Sequence, residues 1–371
     1  MIKSAVVILN WNGRGFLEKY LPPLLQYTPK EYGEVIVADN GSTDGSAGFL
    51  KEKFPTTRII EFKENYGFTG GYNRAFREID AEYYVLINSD IRVTDGWIER
   101  LIDFMENNPQ AGICMPKILS EAEPEKFEYA GACGGFIDRY GYPFCRGRIL
   151  SEIEQDKGQY DTPVEVFWAS GACMVVRSSI YKQLNGLDER FFAHMEEIDF
   201  CWRAKLLGYH VWVQPQSKVY HVGGGALPND SPFKLYLNYR NNLLMLYKNL
   251  PYRKRGRKNL IRRKGKLFTR MALDGLSATL YLLQGQREKY KAVVKAHKDY
   301  KKLKRETQIS PRIISYTGSC PKHLKGVYGK SIVFGFFTGK RRFSQLKFKE
   351  RTGNKKGGRF SPGRPLFCNI H

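Results

Sequence analysis

The chain has 371 residues, 42% of them hydrophobic and 14% aromatic, which is enough for one large α/β domain with a smaller appendage and argues against extensive disorder. Its net charge of +23 is uneven: 36 of the 60 Lys and Arg residues, but only five acidic residues, lie beyond residue 230, which indicates a polyanionic partner such as nucleic acid or an anionic leaflet. The seven cysteines contain no Cys-X-X-Cys pair, so neither a zinc ribbon nor a disulfide framework is supported, and a reducing compartment is expected. No stretch reaches the ~18 apolar residues of a spanning helix, so an integral membrane protein is not expected.

The first 110 residues alternate short apolar runs with amphipathic segments, which predicts βαβ units and a parallel sheet. Each predicted strand ends in a loop of Asn, Asp, Gly and Ser, and ligands of open α/β sheets bind at that carboxyl edge. The predicted strands are Ala5–Leu9, Val35–Ala38, Arg58–Phe62 and Tyr83–Ile87, and the predicted helices lie near Phe16–Gln26, near Tyr72–Ile79 and from Asp95 or Gly96 to about Asn107.

The remaining chain divides into an irregular, strand-rich part and a basic, helical part. Strands are predicted at Val164–Trp168 and Ala172–Arg177, followed by a helix over Glu196–Leu207 that ends at Gly208. Beyond residue 230 the pattern predicts long basic helices, and the Lys-, Arg- and Gly-rich stretch from about Phe343 is expected to be poorly ordered. The basic helices are expected at Lys234–Asn249, Gly265–Gln284 and Arg287–Arg305.

Two acidic turns at strand ends are candidate ligand sites. Asn88-Ser89-Asp90 can place oxygen ligands on a divalent cation that grips a diphosphate, although such a triplet is also a common turn or helix cap. Asp39 can hydrogen-bond a nucleoside or cap the helix expected near Ser42. The glycines of Gly67–Gly71 lack the spacing of a Walker A or dinucleotide motif, but they allow the backbone to approach a phosphate or ribose closely.

The segment 186–203 holds the most distinctive acidic cluster. Glu196, Asp199 and Arg203 share one helix face and can form an ion-pair network, whereas Glu197 points elsewhere. A carboxylate beside an aromatic wall at a helix start is a plausible general base, but the residues by themselves favour a solvated acidic helix start. His221 follows a predicted strand and is either structural or a metal ligand.

Six motifs in order resemble glycosyltransferase family 2 enzymes of GT-A fold, in particular bacterial rhamnosyltransferase-like and galactofuranosyltransferase-like members, over about residues 3–248. The resemblance implies an α/β fold with a Rossmann-like mixed sheet, mostly parallel, flanked by helices, and a basic helical C-terminal region. The motifs are VVILNWNG at 6–13, ADNGSTDGS at 38–46, NYGFTGGYN at 65–73, INSD at 87–90, FFAHMEEIDFCWR at 191–203 and YHVGG at 220–224.

The resemblance assigns roles to individual residues. It implies that Glu197, the second residue of the acidic pair, deprotonates the acceptor, and that Asp90 and His221 bind the metal with Asn88 at the first position of the metal-binding motif. A Glu rather than the commoner Asp at the base, and an Asn at the first metal position, are departures from the family pattern. The implied nucleotide-sugar contacts are Asn10, Asn12, Asp39, Asn65, Gly70, Gly71 and Asn88, and the implied acceptor and sugar pocket is Trp168, Ser170, Gly171 and Glu196.

These residues imply an inverting transfer of a hexose or a rhamnose-like deoxyhexose. One base opposite a departing diphosphate predicts a single displacement, with Mg²⁺ or Mn²⁺ as cofactor. The expected donor is dTDP- or UDP-linked, and the expected acceptor is a glycan or a lipid-linked saccharide in bacterial cell-envelope polysaccharide synthesis. The expected catalytic domain comprises residues 1–230, with a nucleotide-sugar half of about 1–110 and an acceptor half of about 111–230. Residues 231–310 are expected to form a basic, helical, membrane-associating region, and residues 311–371 a basic, partly disordered tail.

The basic half favours a peripheral location at the inner face of the plasma membrane. Arg287–Arg305 carries a thin apolar stripe among lysines, which predicts either a solvated helix packed on the catalytic domain or an interfacial helix on anionic lipid. No nucleic acid is expected, because no recognised nucleic-acid motif occurs, yet a basic nucleic-acid-binding protein and a weakly active nucleotide-sugar-binding module remain alternatives. The stripe comprises Tyr290, Val293, Val294, His297 and Leu303.

Overall fold

A central mixed sheet of nine strands carries the fold in a computed structural model that describes residues 1–223, 230–250, 257–307 and 324–348. The strands run in the order β11-β13-β6-β12-β4-β1-β2-β3, and β5 pairs with β13. The four strands β4, β1, β2 and β3 are mutually parallel, as the alternating pattern predicts. The strands of this sheet are β1 (Ile2–Asn10), β2 (Glu34–Asp39), β3 (Arg58–Glu61), β4 (Ala81–Ile87), β5 (Ile91–Val93), β6 (Ala111–Ser120), β11 (Val164–Val166), β12 (Cys173–Arg177) and β13 (His210–His221).

Helices cover the sheet, and a second, smaller sheet lies beside it. The small sheet has the order β10-β9-β8-β7-β14, formed by β7 (Gly135–Asp138), β8 (Pro143–Cys145), β9 (Arg148–Ile149), β10 (Glu152–Ile153) and β14 (Val327–Tyr328). The helices are α1 (Arg14–Gln26), α2 (Ser46–Lys53), α3 (Gly67–Arg77), α4 (Trp97–Asn107), α5 (Ser178–Gln183), α6 (Glu196–Leu206), α7 (Pro232–Asn249), α8 (Arg257–Leu283), α9 (Arg287–Glu306) and α10 (Ile332–Phe337), with 3-10 turns at Glu189–Phe191 and Phe343–Gln345.

The strand register brings the predicted polar turns to one edge of the large sheet. Asn10 pairs with Asp39 across β1 and β2, and β4 ends beside β1, so that Asn88 follows at the same edge. From the other half of the sheet, His221 at the end of β13 pairs with Ile91 of β5, directly after Asp90. Segments far apart in sequence therefore converge where a ligand of an open sheet is expected.

Two helices begin earlier than the sequence pattern predicts. Helix α3 starts at Gly67 rather than near Tyr72, because the Asn65 side chain accepts a hydrogen bond from the Gly67 amide at 2.8 Å and caps the first turn. Helix α8 starts at Arg257 rather than Gly265, since the basic residues that precede Gly265 are good helix formers. The predicted glycine-rich loop is therefore largely the first turn of a helix.

Helix α7 is bound to the catalytic part of the chain by buried ion pairs. Lys248 contacts Asp188 at 2.6 Å and Asp199 at 2.8 Å, and Asp199 also pairs with Arg203 at 2.8 Å. The predicted pairing of Asp199 with Arg203 is confirmed, but the described residues give the Oε2 atom of Glu196 no partner. Because buried charges are stable only when paired, this network fixes α7 against α6. The domain boundary predicted at residue 230 therefore falls between two helices, α6 and α7, that buried ion pairs hold together.

The C-terminal part contributes ordered structure as well. Residues 327–328 add β14 in parallel to β7, and the Ile332 amide donates to Asp138 Oδ2 at 2.9 Å. Phe343 and Phe348 pack against Phe136 of the small sheet. Part of the predicted basic tail is thus folded, whereas 308–323 and 349–371 lie outside the described residues.

Two expectations about the whole chain can be compared with the described residues. No helix among them is long and apolar enough to cross a bilayer. Within the same ranges, Cys114, Cys133, Cys145, Cys173 and Cys201 are buried free thiols, in line with the expected absence of a disulfide framework there.

Candidate active site

The first polar group at the sheet edge is formed by the ends of β1 and β2. The Asn10 side chain is fully buried and donates to Asp39 Oδ1 at 2.9 Å and to Ser42 Oγ at 3.2 Å. Asp39 Oδ2 accepts from the Ser42 amide at 3.0 Å, and the Asn12 amide donates to Ser42 Oγ at 2.9 Å. Predicted nucleotide contacts Asn10, Asn12 and Asp39 thus form one hydrogen-bonded group.

The predicted contacts around α3 have local structural roles. Asn65 Oδ1 accepts from Asn40 Nδ2 at 3.0 Å in addition to capping α3. Gly70 and Gly71 are buried, and a side chain at Gly71 would collide with Leu9 and the amide of Asn40. Helix-to-sheet packing accounts for the absence of a side chain at Gly71, and the place of both glycines in the nucleotide site stays a prediction.

The predicted metal ligands lie next to one another. His221 Nε2 is 3.2 Å from Asp90 Oδ1 and 3.5 Å from Asn88 Nδ2, and its Nδ1 is 3.4 Å from Glu128 Oε1. Asp90, His221 and Glu128 are all buried. Burial disfavours the imidazolium, but the two carboxylates outweigh it and raise the pKa of His221 to about 10. The contact with Asp90 is the shorter of the two.

The donor atoms of this group suit a divalent cation that is also bound by a diphosphate. Among the described residues no cluster of three or more His, Cys, Asp or Glu side chains has the arrangement of a complete metal site. His221 lies between the two carboxylates, so only Asp90, His221 Nε2 and the Asn88 amide converge. A carboxylate, an imidazole and an amide are chemically suitable donors for Mn²⁺, with phosphate oxygens completing the coordination.

Glu196 and Glu197 begin α6 immediately after a turn with unusual backbone angles. Phe192, His194 and Met195 have φ values of +64°, +67° and +71°. Such angles cost of order 1–2 kcal/mol per non-glycine residue and persist only where neighbouring structure holds them. The turn, here called the base turn and comprising residues 191–195, is therefore imposed by contacts from elsewhere in the chain.

Those contacts come from α7 and α3. The Asn241 side chain is fully buried, and its Nδ2 lies 2.9 Å from the Phe191 carbonyl oxygen, 2.8 Å from that of Ala193 and 2.7 Å from that of His194. On the other side, the Thr69 amide donates to the Phe192 carbonyl at 3.2 Å. The base turn is held between the first turn of α3 and the middle of α7.

The acidic pair is poised for proton transfer. Glu196 is buried and Glu197 half-buried, and in the described part of the chain neither Oε2 atom has a hydrogen-bond partner. Burial, together with the neighbouring charge of Glu197, raises the pKa of Glu196 well above its usual range. Burial raises the pKa of Glu197 to about 7, a value suited to a general base at neutral pH.

The segment 170–172 lies close to both Glu197 and Asn88. A Cβ added to Gly171 would lie 3.7 Å from the Glu197 Cβ, so Gly171 lies beside the start of the Glu197 side chain. The carbonyl of the next residue, Ala172, accepts from the Asn88 amide at 2.9 Å. Glu197 and Asn88 are therefore both neighbours of one short segment at the sheet edge.

Two predicted pocket residues are buried by packing. The Trp168 indole lies against Gly135 and donates to the Phe136 carbonyl at 2.9 Å, so its position is explained by packing between the sheets rather than by contact with a ligand. Ser170 is also buried, and its Oγ donates to the Ala130 carbonyl at 2.6 Å. The third predicted pocket residue, Gly171, lies close to the Glu197 Cβ.

Sequence reasoning missed two residues of the site. Glu128 lies in an irregular segment without a motif, and nothing in the sequence marks it as a partner of His221. Asn241 had a weak signal: Asn241 and Asn242 directly precede the apolar run 243–246 of α7, and buried amides need partners.

The comparisons with known proteins agree with this architecture. The family model described as glycosyl transferase family 2 matches residues 5–184, the region that contains the parallel strands and their polar ends. The chain carries a family 2 glycosyltransferase domain. The resemblance stated from the motifs and the expected mixed α/β fold are both confirmed.

This glycosyltransferase is similar to two curated bacterial enzymes. It is 27% identical over 261 residues to the N-acetylglucosaminyl-diphospho-decaprenol L-rhamnosyltransferase of Mycobacterium tuberculosis, covering 65% of this chain and 83% of the relative. It is 26% identical over 225 residues to the rhamnosyltransferase WbbL of Escherichia coli, covering 58% and 82%.

The glycosyltransferase also resembles solved structures. A crystal structure of GalNAc-T7 with UDP, GalNAc and Mn²⁺ superimposes with a TM-score of 0.52 at 14% identity, covering 67% of this chain and 48% of that chain. At this identity the likeness concerns the fold, which is the GT-A fold.

Proposed function

We propose that the protein is a cation-dependent, inverting glycosyltransferase of cell-surface glycan synthesis. It transfers a hexose or a rhamnose-like deoxyhexose from a dTDP- or UDP-linked sugar to a hydroxyl of a glycan or lipid-linked acceptor. The observation that carries the proposal is Glu197, which has an unpartnered carboxylate oxygen and a pKa near 7, and whose Cβ lies beside Gly171, the residue before the one that binds the Asn88 amide. The relatives named as rhamnosyltransferases support the choice of sugar and acceptor.

The donor side of the reaction uses the polar ends of the strands. Asp39 and Asn10 bind the nucleoside, with Asn12 and Asn65 bordering them, while Asp90, His221 and Asn88 hold Mg²⁺ or Mn²⁺. When bound, the cation neutralises charge on the leaving diphosphate. The convergence of the Asp90 carboxylate, the His221 imidazole and the Asn88 side chain, whose amide oxygen would be its donor to the cation, supports this assignment, as does the Mn²⁺ in the structure of GalNAc-T7.

On the acceptor side, Glu197 removes the proton of the attacking hydroxyl. Its raised pKa makes it a stronger base than an exposed carboxylate while leaving much of it ionised near pH 7. Gly171 lies beside the Glu197 Cβ, and Glu196 precedes Glu197 at the start of α6. Attack by one hydroxyl on the face opposite the leaving diphosphate gives a single displacement and inverts the anomeric carbon.

The proposed location is the inner face of the plasma membrane, as a peripheral protein. The strong excess of Lys and Arg beyond residue 230 supports an anionic leaflet as partner. A lipid-linked acceptor, which the name of the mycobacterial relative includes, is presented at such a surface.

A screen of nucleotide sugars by thermal shift, with and without Mn²⁺, tests the donor assignment. We expect stabilisation by a dTDP- or UDP-sugar that increases with Mn²⁺, and slow release of nucleotide from that donor. Asp90→Asn is the variant to be compared with the wild type in this screen, because it preserves the shape of the Asp90 side chain and removes its negative charge. Absence of stabilisation by every nucleotide sugar, together with tight binding of duplex nucleic acid, would replace the proposal with the nucleic-acid-binding alternative.

A further inference from the structure

Helix α8 has an exposed apolar face that the rest of the described protein does not cover. Phe268 is 75% exposed, Leu276 64%, Leu280 57% and Leu283 78%. Together with the exposed Ala272 they recur every three to four residues and form one stripe, here called the α8 stripe. At about 1.5 Å per residue the stripe is roughly 22 Å long.

The opposite face of α8 is fixed in the protein interior. Arg270 pairs with Asp274 at 2.7 Å, donates to Asn242 Oδ1 at 2.7 Å, and stacks over the Tyr142 ring with its Cζ 3.9 Å from the centroid. Rotation of α8 would break the buried contacts of Arg270 with Asn242 and Tyr142, so α8 does not rotate to bury its stripe. The stripe is a permanent feature of the surface.

Helix α9 lies antiparallel to α8 and supplies positive charge next to it. The two helices are joined by a short turn, and His297 of α9 contacts Asp274 of α8 at 3.2 Å. The apolar side chains Val293 and Tyr300 are buried. The exposed basic residues of α9 are Arg287, Lys291, Lys295, Lys298, Lys301, Lys302, Lys304 and Arg305.

This arrangement changes the assignment made from sequence. Of the apolar stripe predicted on α9, Val293 is buried and Val294 is exposed, so the predicted residues do not form one free face. Of the two alternatives predicted for α9, a solvated helix packed on the protein and an interfacial helix on lipid, the structure matches the first. The free apolar face belongs instead to the neighbouring helix α8. The sequence periodicity of α8 did not show which of its sides α7 and α9 would cover.

We propose that the α8 stripe, with the cations of α9 beside it, docks this protein on an anionic lipid bilayer. The proposal rests on the proposed function and names the surface through which the enzyme reaches a membrane-borne acceptor. Apolar side chains enter the boundary between headgroups and acyl chains, while each nearby Lys or Arg interacts with anionic headgroups.

Charge and composition favour lipid over the other occupants of an apolar face. A second copy placed on the stripe would bring two rows of α9 cations close together, and like charges repel. Single-stranded nucleic acid is bound by stacking on several aromatic rings, whereas the stripe offers one aromatic residue, Phe268, among aliphatic ones. A bilayer provides an apolar layer beneath an anionic one.

Vesicle flotation of the full-length protein tests the proposal, with phosphatidylcholine vesicles compared with vesicles that also contain phosphatidylglycerol. We expect binding to the anionic vesicles only. The variant Leu276→Gln/Leu280→Gln should lower the partition coefficient about tenfold or more, because two leucines no longer transfer into the interface. Its matched control is Leu25→Gln/Ile153→Gln, which changes two exposed apolar residues of other elements and should bind as the wild type does.

A charge variant separates the two parts of the surface. The variant Lys298→Gln/Lys301→Gln/Lys302→Gln should lower binding to anionic vesicles about tenfold or more. The binding that remains should depend less on salt concentration than that of the wild type. Equal vesicle binding by the α8 variant and the wild type would overturn the proposal. The proposal would also be overturned if the wild-type protein were oligomeric and the α8 variant monomeric. It would likewise be overturned if duplex nucleic acid alone displaced the protein from the vesicles.

Donor-dependent transfer to a water-soluble acceptor analogue distinguishes failure of this proposal from failure of the proposed function. The α8 variant should retain this transfer at wild-type rates, since the α8 stripe contains none of the proposed donor or base residues. Retained transfer with vesicle binding unaffected by the α8 variant would reject the docking surface alone. Vesicle binding without any transfer would reject the glycosyltransferase assignment alone.

Discussion

The side-chain amide of Asn241 lies 2.7 Å from the carbonyl oxygen of His194, two residues before the acidic pair begins. Asn241 therefore holds a left-handed backbone segment that would relax without a partner. We expect Asn241→Ala to lower kcat about 10–100-fold, because a small displacement of a base has an effect of this size, and to leave the affinity for the donor nucleotide unchanged.

The matched control for this positioning role is Asn249→Ala. Asn249 is a buried amide of the same helix, and it donates to Asp199 rather than to the base turn. Steady-state kinetics and nucleotide titration of both variants provide the comparison. Equal losses of kcat in the two variants would show that Asn241 acts only through general stability.

Replacement of the proposed base should separate chemistry from donor binding. Glu197→Gln keeps the shape of the side chain but cannot accept a proton, so transfer should fall by about 10²–10⁴ while the nucleotide sugar still binds. Glu197→Asp should retain part of the activity, since it keeps the carboxylate on a shorter side chain. Loss of donor binding in Glu197→Gln would instead identify Glu197 as a structural residue.

The raised pKa of Glu197 predicts opposite effects of pH on activity and on stability. Transfer should decline as the pH falls below about 7, where Glu197 becomes protonated, and this limb should be absent from the residual activity of Glu197→Gln. The folded state binds the proton more tightly than the unfolded state, whose pKa is near 4.5, so this group removes stability as the pH rises from about 4.5 to 7.

It follows that Glu197→Gln should melt at a higher temperature than the wild type at pH 8, by about 2 °C or more, and at nearly the same temperature at pH 4. Differential scanning calorimetry at the two pH values provides the measurement. A lower melting temperature of the variant at pH 8 would contradict burial of an uncompensated carboxylate at this position.

The proposed cation ligands predict a selective loss of metal-linked binding. His221→Ala should weaken binding of the nucleotide sugar in the presence of Mn²⁺ about tenfold or more, and change binding little in its absence, because only the cation-mediated contact is removed. Glu128→Gln, which alters the partner of His221 rather than a ligand, should have a smaller effect in the same direction.

His210→Ala is the control for these substitutions, since His210 lies at the opposite end of β13 and is partly exposed. Isothermal titration with the donor, with and without Mn²⁺, measures both quantities. Identical weakening of binding with and without Mn²⁺ in His221→Ala would argue for a structural role of the His221–Asp90 pair.

The sequence was most informative where local chemistry determines structure. Apolar runs followed by Asn, Asp and Gly predict buried parallel strands with polar ends, and Asn10, Asp39 and Asn88 do meet at one sheet edge. The helix start at Glu196 was also predicted, because carboxylates are favoured in the first turn of a helix. These features depend on short segments, so their residues can be recognised without knowledge of the fold.

Contacts between distant segments could not be predicted in this way. Asn241 and His194 are 47 positions apart, and their contact depends on how α7 docks on α6. The family resemblance implied that Trp168 lines the pocket, and only the structure shows that its indole packs against Gly135. The choice between α8 and α9 as the free apolar face likewise depends on which neighbour covers each helix.

The hydrogen-bond donors that maintain the base turn have a practical consequence for the smallest active fragment. The family match ends at residue 184, and the acidic pair itself ends at 197, yet the amide that secures the turn comes from residue 241 and the lysine that anchors its helix from residue 248. A truncation after residue 230 would keep every predicted catalytic side chain and release the backbone that orients one of them. Active fragments should therefore extend at least through the end of α7.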